Sequence, residues 1–221
     1  IPEPFSIYEH TYKLSPGHYI LIKQGDEKLP TPVEYWDIPT NFDKELSDDE
    51  IQEELVGRLK QAVDIRMIAD VPLGAFLSGG VDSSTVVSLM AQLDDSPVNT
   101  CSIGFDSEQF NETEFAQMVA DRYQTNHRVE TVSRDDFDLI DQLASMYDEP
   151  YADSSAIPTY RVCELARKHV TVCLSGDGAD ELMAGYRRYK LHQAEEKIRN
   201  LLPLSIRKPI FSLLGKLYPK M

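Results

Sequence analysis

The chain has 221 residues and a formal net charge of −15, from 37 acidic and 22 basic residues. That balance argues against a non-specific nucleic-acid binder, which needs a basic face for the phosphates. No apolar run approaches the roughly 18 residues of a membrane span, and no basic-then-apolar leader is present. Three cysteines without CxxC spacing favour a reducing compartment, so we expect a cytoplasmic protein of one or two domains.

Residues 1–40 are rich in proline and aromatic residues and alternate apolar with polar positions, as in GHYILIKQG and PVEYWDIP. The alternation predicts short antiparallel strands, and the prolines predict edges and turns. This piece is too small to be stable alone, so we expect it to be the end of a larger domain. Ser47 and Glu50 then form a capping-box pattern, which predicts that a helix begins there.

From Leu73 onward, buried-strand patterns alternate with helical patterns. Strands are predicted at LGAFLS, VNTCSIGF, HRVETV and VTVCLSG, with helices after the first strand and over 112–123, 134–147 and 157–168. The alternation predicts an α/β fold, with a parallel twisted sheet and helices on both faces. After Gly185 the pattern is helical and basic, and we expect Pro203 and Pro209 to break it.

The stretch SGGVDSS, residues 78–84, lies between a predicted strand and a predicted helix. Backbone N–H groups in such a turn, with a helix N-terminus behind them, form an anion site. A nucleotide-hydrolysing P-loop would need a lysine, and a dinucleotide fingerprint would need staggered glycines; neither is present. The loop is therefore suited to a small polyanion, with Asp82 on a bridging Mg²⁺. The alternative is a plain glycine turn in which Asp82 and the serines only cap the helix.

A second loop, CLSGDGADELMAGYRRY, follows a later strand and crowds Asp177, Asp180 and Glu181 into five positions. Clustered carboxylates repel one another unless a cation offsets their charge. Mg²⁺ that also binds phosphate oxygens is a suitable cation. The alternative is a solvated acidic turn at a helix start. The basic pair Arg187–Arg188 beyond it faces either phosphate or a neighbouring domain. Two such loops predict a Mg²⁺-nucleotide held between them.

These stretches resemble a known family. SGGVDSS resembles the SGGxDS pyrophosphatase-type loop (PP-loop), and together with LSGDGADELMAGY and DEPYADSSAIPTY it is similar to the synthetase domain of glutamine-dependent asparagine synthetases. The resemblance implies an adenine nucleotide alpha hydrolase-like fold. Residues 1–40 resemble the tail of that family's glutaminase domain, and residues 41–221 resemble the synthetase domain, cut short at its C-terminus.

The resemblance implies an ATP-dependent carbon–nitrogen ligase. Mg·ATP would adenylate the β-carboxylate of aspartate and release pyrophosphate; ammonia from glutamine would then convert β-aspartyl-AMP to asparagine and AMP. One alternative keeps this adenylation on another carboxylate, since relatives close a β-lactam ring or amidate sugars and peptides. Another is a nucleotide-binding regulatory module without catalysis.

The resemblance also implies residue roles. The pyrophosphate would be held by Ser78, Gly79, Gly80, Asp82 and Ser83. The adenosine site would be lined by Leu77, Ile103, Ser175 and Gly176. The catalytic acids would be Asp177, Asp82 and Asp180, the last two as Mg²⁺ ligands. Asp177 stands where the family often has glutamate, so its reach is one methylene shorter. The loop DEPYADSSAIPTY is either a lining of the aspartate site or a structural crossing.

The family's glutaminase half needs an N-terminal cysteine, and no cysteine precedes Cys101. The family also draws phosphate-binding lysines from about a hundred residues further downstream than this chain reaches. We therefore expect the synthetase core of a longer enzyme, inactive alone, whose partner is the missing glutaminase domain. A homodimer is one candidate for its oligomeric state.

Overall fold

The computed structural model describes residues 1–39, 46–106, 112–132, 139–201 and 203–217. The chain divides into two compact units, Ile1–Leu174 and Ser175–Met221, and each is described by itself. The predicted division at residue 40 follows a resemblance rather than contacts, and it stays a prediction.

The first unit contains six strands and five helices within its described residues. In chain order they are β1 His18–Tyr19, β2 Val33–Glu34, α1 Asp48–Met67, β3 Leu73–Phe76, α2 Val81–Leu93, β4 Asn99–Phe105, α3 Thr113–Tyr123, β5 Asn126–Val132, α4 Leu139–Met146, α5 Ala156–Arg167 and β6 Val172–Leu174. The described part of the second unit contains α6 Ala179–Leu182, α7 Arg187–Leu201 and α8 Leu204–Leu217.

Four strands form a parallel sheet in the order β5-β4-β3-β6. Gly74 of β3 is in register with Asn99 on one side and with Cys173 on the other. The carboxyl ends of β3 and β6 are therefore neighbours at one edge of the sheet, where parallel α/β sheets hold their ligands. The predicted parallel sheet is confirmed, and all four predicted strands belong to it.

Helices cover both faces of this sheet, as predicted. Ala75 and Leu77 point to one face and pack in a core with residues of α1, α2 and α3. Phe76, between them in the sequence, packs on the opposite face with Cys101 and with Leu165 of α5. Alternate residues of one buried strand thus serve two cores, which is why its sequence is continuously apolar.

The predicted capping box begins α1. The Glu50 amide donates to Ser47 Oγ, and the Ser47 amide donates to the Glu50 carboxylate at 2.9 Å. These bonds satisfy two backbone donors at a helix start that water would otherwise have to solvate. In the N-terminal segment, β1 and β2 pair antiparallel as expected but are only two residues long each.

The prediction that Pro209 breaks the last helix is wrong, since α8 runs through it from Leu204 to Leu217. Proline removes one N–H from the helix and crowds the preceding turn, so this helix continues with one hydrogen bond fewer. Pro203 does separate α7 from α8. Part of the helix predicted over 134–147 lies outside the described residues, and α4 accounts for Leu139–Met146. No helix in the described ranges combines the length and apolarity that a membrane crossing requires.

Candidate functional site

The first loop leaves the sheet at the carboxyl end of β3. Leu77 is 1% exposed and belongs to the core. Its amide donates to the Cys101 carbonyl at 2.9 Å, and Ser102 Oγ donates to its carbonyl. Both bonds tie the start of the loop to β4, which gives the loop a fixed origin. Ile103, further along β4, is half-buried.

Two serine side chains close the first loop on itself. The Ser78 amide donates to Ser83 Oγ at 3.2 Å, and the two hydroxyl oxygens lie 3.0 Å apart. Ser83 Oγ donates to the Gly80 carbonyl at 3.3 Å, while the Gly80 amide donates to Ser78 Oγ at the same distance. The predicted phosphate loop therefore has its own internal scaffold of hydrogen bonds.

Helix α2 begins immediately after this scaffold. Its N-cap is Gly80, which provides no side-chain hydrogen bond to the first turn. The first N–H groups of a helix point outward without intrahelical partners, and the helix dipole adds positive potential there. An anion that binds at this point would meet donors that no side chain occupies.

Asp82 lies in that first turn and is half-buried. Within the described ranges, no hydrogen bond or ion pair reaches its carboxylate. A free carboxylate beside an uncapped helix start fits a magnesium ion that is completed by phosphate oxygens. In the described chain, no three His, Cys, Asp or Glu side chains are grouped to hold a metal by themselves.

The second loop opens with Ser175 and Gly176, directly after β6. The Asp177 amide donates to Ser175 Oγ at 3.2 Å, and the Asp177 side chain is exposed. Gly178 has φ +91° and is the N-cap of α6. This left-handed position favours glycine, which explains why the motif interrupts its acids with one.

The acids of the second loop have different surroundings. The Tyr186 hydroxyl donates to Glu181 Oε1 at 2.7 Å, and this bond lowers the pKa of Glu181 and raises the pKa of Tyr186. The Arg188 guanidinium lies over the Tyr186 ring, 4.4 Å from its centroid. Asp180 is half-buried, and its carboxylate packs against Gly185. In the described part of the chain, neither Asp177 nor Asp180 has a side-chain hydrogen-bond or ion-pair partner.

The partner of Glu181 is a feature that the sequence patterns did not predict. The sequence analysis interprets only the positive charge of the Arg187–Arg188 pair. The aromatic residues on either side of that pair were a usable signal, because tyrosine hydroxyls pair with carboxylates and tyrosine rings stack with guanidinium groups. Among the three acids, Glu181 is thus hydrogen-bonded to Tyr186, whereas Asp177 and Asp180 have no hydrogen-bond partner within the described residues.

The loop DEPYADSSAIPTY borders a separate cavity of about 670 Å³ between α4, α5 and the N-terminal segment. Tyr147 and Tyr151 stack at 4.4 Å beside it, and Asp153 accepts from the Ser155 amide at 2.9 Å, which lowers the pKa of Asp153. Its lining includes the three acids Asp148, Glu149 and Asp153. Glu149 of this lining pairs with Lys13 Nζ and with the N-terminal ammonium of Ile1, so the cavity has both charges at its border. Whether the loop lines the aspartate site or has only a structural role stays a prediction.

Comparison with known proteins agrees with the motifs. The family model described as asparagine synthase matches residues 54–220. The chain is 43% identical, over 91% of its length, to a putative glutamine-hydrolysing asparagine synthetase 2 of Methanocaldococcus jannaschii, and 35% identical, over 86%, to glutamine-hydrolysing asparagine synthetase 1 of Bacillus subtilis. It spans 39% and 30% of the lengths of these two relatives.

Among solved structures, the chain is similar to an NH3-dependent NAD synthetase from Campylobacter jejuni, with a TM-score of 0.43 and 13% identity over 61% of this chain and 60% of that one. A likeness of that size carries no argument about function, and the fold assignment rests on the parallel sheet itself. The family assignment rests on the match over residues 54–220 and on the identity to the two synthetases. The chain belongs to the asparagine synthase family.

Proposed function

We propose that this chain carries the ATP-dependent amidating activity of an asparagine synthetase. Aspartate would be activated at its β-carboxylate as β-aspartyl-AMP, with release of pyrophosphate, and ammonia would then form the amide. The observation that carries this proposal is the loop Ser78–Ser83, with an uncapped helix start and an unpaired Asp82, at the carboxyl end of a central parallel strand.

Residues of both loops would take part in this reaction. The pyrophosphate portion would be held by Ser78, Gly79, Gly80, Asp82 and Ser83. The N–H groups at the start of α2 would help to stabilise its charge as the α–β bond breaks. Asp82 and Asp180 would hold Mg²⁺, which when bound neutralises phosphate charge. Their free carboxylates support these roles, whereas Glu181 is committed to Tyr186.

The remaining assignments are proposals on the same basis. Leu77, Ile103, Ser175 and Gly176 would line the adenosine site. Asp177, exposed and unpaired in the described chain, would hold the aspartate or assist ammonia attack. The ammonia would come from glutamine, through a glutaminase domain whose tail is residues 1–40. We place the reaction in the cytoplasm, in keeping with three free cysteines.

The test is Mg²⁺-dependent exchange of labelled pyrophosphate into ATP by the full-length natural protein, with and without aspartate. Aspartate-dependent exchange is expected, and Asp82→Asn is expected to lower it by at least about a hundredfold. The matched control is Asp64→Asn, an exposed acid on α1. Exchange that requires another carboxylic acid would overturn the substrate, and no exchange with any acid in a panel would overturn the activity.

A further inference from the structure

We propose that the ion pair between Lys13 and Glu149 couples the release of ammonia to its use. Lys13 is then a positioning residue that acts through Glu149 on the loop between α4 and α5 (residues 147–155, the α4–α5 loop). This inference rests on the proposed function, in which the N-terminal segment (residues 1–40) belongs to the half of the enzyme that releases ammonia. The pair keeps that segment in place against the half that consumes the ammonia.

The Lys13–Glu149 pair is short and half-buried. Lys13 Nζ lies 2.5 Å from Glu149 Oε1, and the two side chains are 30% and 29% exposed. The hydrogen bond from Lys13 lowers the pKa of Glu149, so this carboxylate is ionised at neutral pH. The Ile1 ammonium lies further away, 3.5 Å from the same oxygen, and the proposal does not depend on it. Ion pairs on an open surface contribute little, whereas this one is partly shielded from water.

The backbone around Lys13 fixes where its side chain begins. The Lys13 amide donates to the Pro4 carbonyl at 2.9 Å, and Ser6 Oγ donates to the Thr11 carbonyl at 2.7 Å. Residues 4–13 therefore form a closed turn with Lys13 at its base. A long side chain that starts from a fixed backbone loses less freedom when it binds, which favours a persistent pair.

Apolar contacts accompany the pair. Ile7 and Tyr8 of this turn line the cavity of about 670 Å³ together with Tyr147 and Ile157. The N-terminal segment thus meets the α4–α5 loop through aliphatic and aromatic side chains, with the ion pair at the polar border. The pair fixes the register of this contact, because apolar surfaces alone are not directional.

Glu149 is the main polar anchor of the α4–α5 loop. In the described chain, residues 148–152 make no hydrogen bonds apart from those of Glu149. The Tyr151 ring stacks on Tyr147, and the next hydrogen bond of the loop is that of Asp153 with the following turn. Without its lysine partner, this stretch would lose its shortest polar contact to another part of the chain. It would also keep a half-buried carboxylate that is poorly paired, which is unfavourable.

The pair is separate from the first nucleotide loop. Within the described residues, neither Lys13 nor Glu149 has a hydrogen bond or an ion pair with residues 77–84. Removal of the pair is therefore expected to leave the activation of aspartate intact. It is expected to disturb what depends on the place of the N-terminal segment. Under the proposed function this is the delivery of ammonia, because a nucleophile reacts efficiently only when it is released close to the activated carboxyl group.

The experiment compares Lys13→Met with Lys23→Met in the full-length natural protein. Lys23 is the matched control, since it lies in the same segment, is exposed and has no side-chain partner in the described chain. Three quantities are measured: glutamine hydrolysed per asparagine formed, asparagine formed from ammonium chloride, and aspartate-dependent exchange of pyrophosphate into ATP. For Lys13→Met we expect the first to rise at least about threefold and the other two to stay within about twofold of wild type. For Lys23→Met we expect no change in any of them.

Two further variants show whether Lys13 acts through Glu149. Glu149→Gln is expected to raise the ratio of glutamine to asparagine as Lys13→Met does. The double variant is expected to be no worse than either single variant, because the pair can be broken only once. Amide hydrogen exchange of peptides covering residues 147–155 is expected to be faster in both single variants, since the loop loses its anchor. Additive rises of the ratio in the double variant would overturn the proposal.

The outcomes separate coupling from a general structural role. An unchanged ratio of glutamine to asparagine in Lys13→Met would overturn the inference. A loss of pyrophosphate exchange as large as the rise in that ratio would also overturn it, because the pair would then serve the fold or aspartate activation. A wild type that uses ammonium chloride but not glutamine would overturn the inference and leave the amidation proposal intact. A wild type without aspartate-dependent exchange would overturn the proposed function itself, and this inference with it.

Discussion

The backbone of Gly79 lies against the first turn of α3, so that a Cβ at Gly79 would stand 2.6 Å from the amide nitrogen of Ala116. The same Cβ would lie 2.7 Å from the Cβ of Phe115, and the φ of +85° is itself unfavourable for any side chain. The close neighbour that requires glycine here is therefore a helix of the protein. The loop is held between β3, α2 and α3.

Gly79→Ala is expected to lower the free energy of unfolding by about 2 kcal/mol or more, because it combines left-handed strain with a backbone clash. The measurement is urea-induced unfolding at constant temperature. The matched control is Gly57→Ala in α1, where a Cβ meets nothing within 4 Å. That variant is expected to be more stable by about 0.5–1 kcal/mol, since alanine favours a helix interior over glycine. An unchanged free energy of unfolding in Gly79→Ala would contradict the close packing of Gly79 against α3.

Gly185 sets the position of the Asp180 carboxylate in the second loop. A Cβ at Gly185 would overlap Asp180 Oδ1 and lie 2.9 Å from Asp180 Cγ, so the carboxylate must move. If Asp180 holds Mg²⁺ as proposed, Gly185→Ala raises the Mg²⁺ concentration for half-maximal pyrophosphate exchange by about tenfold, equivalent to about 1.4 kcal/mol. Stability changes little, because the displaced group is the end of a side chain.

A double-mutant cycle isolates this effect. In the variant Asp180→Asn, Gly185 no longer positions a carboxylate. Adding Gly185→Ala to that variant is therefore expected to raise the half-maximal Mg²⁺ concentration little further. Additive losses in the double variant would show that Gly185 acts on something other than Asp180.

The sequence predicted the elements of the sheet because each strand is a short apolar run bounded by glycine, proline or polar turns. Its parallel arrangement followed from the helical patterns between the strands, since each crossover must pack on a face. The loops were predicted as anion and metal sites from residue types that follow strands. These predictions needed only local pattern and one topological rule.

Features that depend on distant packing could not be predicted in this way. The requirement for Gly79 involves Phe115 and Ala116, more than thirty residues later. The predicted break at Pro209 is wrong because local sterics alone do not decide whether a helix continues past a proline. Here α8 continues through Pro209 to Leu217.

His127 predicts a pH dependence of stability. Its Nδ1 lies 2.9 Å from Thr100 Oγ1, and its buried Nε2 has no partner in the described chain. Burial lowers the pKa of His127 below its ordinary 6.5, with smaller opposing effects from Asp121 and Thr100. The unfolded chain therefore takes up the proton first as pH falls below about 6.5, and the folded state loses stability from there downward.

Urea unfolding between pH 8 and pH 5 checks this expectation. His127→Gln is expected to show a shallower loss of stability over that range than the wild type, whatever its stability at pH 8. The control is His10→Gln, since the side chain of His10 is 86% exposed. Equal slopes for wild type and His127→Gln would contradict the buried-imidazole explanation.

Cys173 on β6 predicts an unreactive thiol in the folded protein. Burial, with a smaller effect of the Cys101 and Cys163 thiols, raises the pKa of Cys173 to about 11. At pH 8 only about one thiol in a thousand is then ionised, and the thiolate is the reactive form. Partial desolvation also raises the pKa of Cys163, but its side chain is exposed to solvent. Cys163 is therefore expected to react first.

Alkylation with iodoacetamide at pH 8, followed by mass spectrometry of the peptides, measures the two rates. In the folded protein, Cys173 is expected to react at least about tenfold more slowly than Cys163, because its higher pKa leaves less thiolate and its side chain is half-buried. In urea the two rates are expected to converge, since burial is lost. Equal rates in the folded protein would contradict the packing of β6 against α5. The burial that raises the pKa of Cys173 is the same packing that positions β6, and the acidic second loop begins directly after this strand.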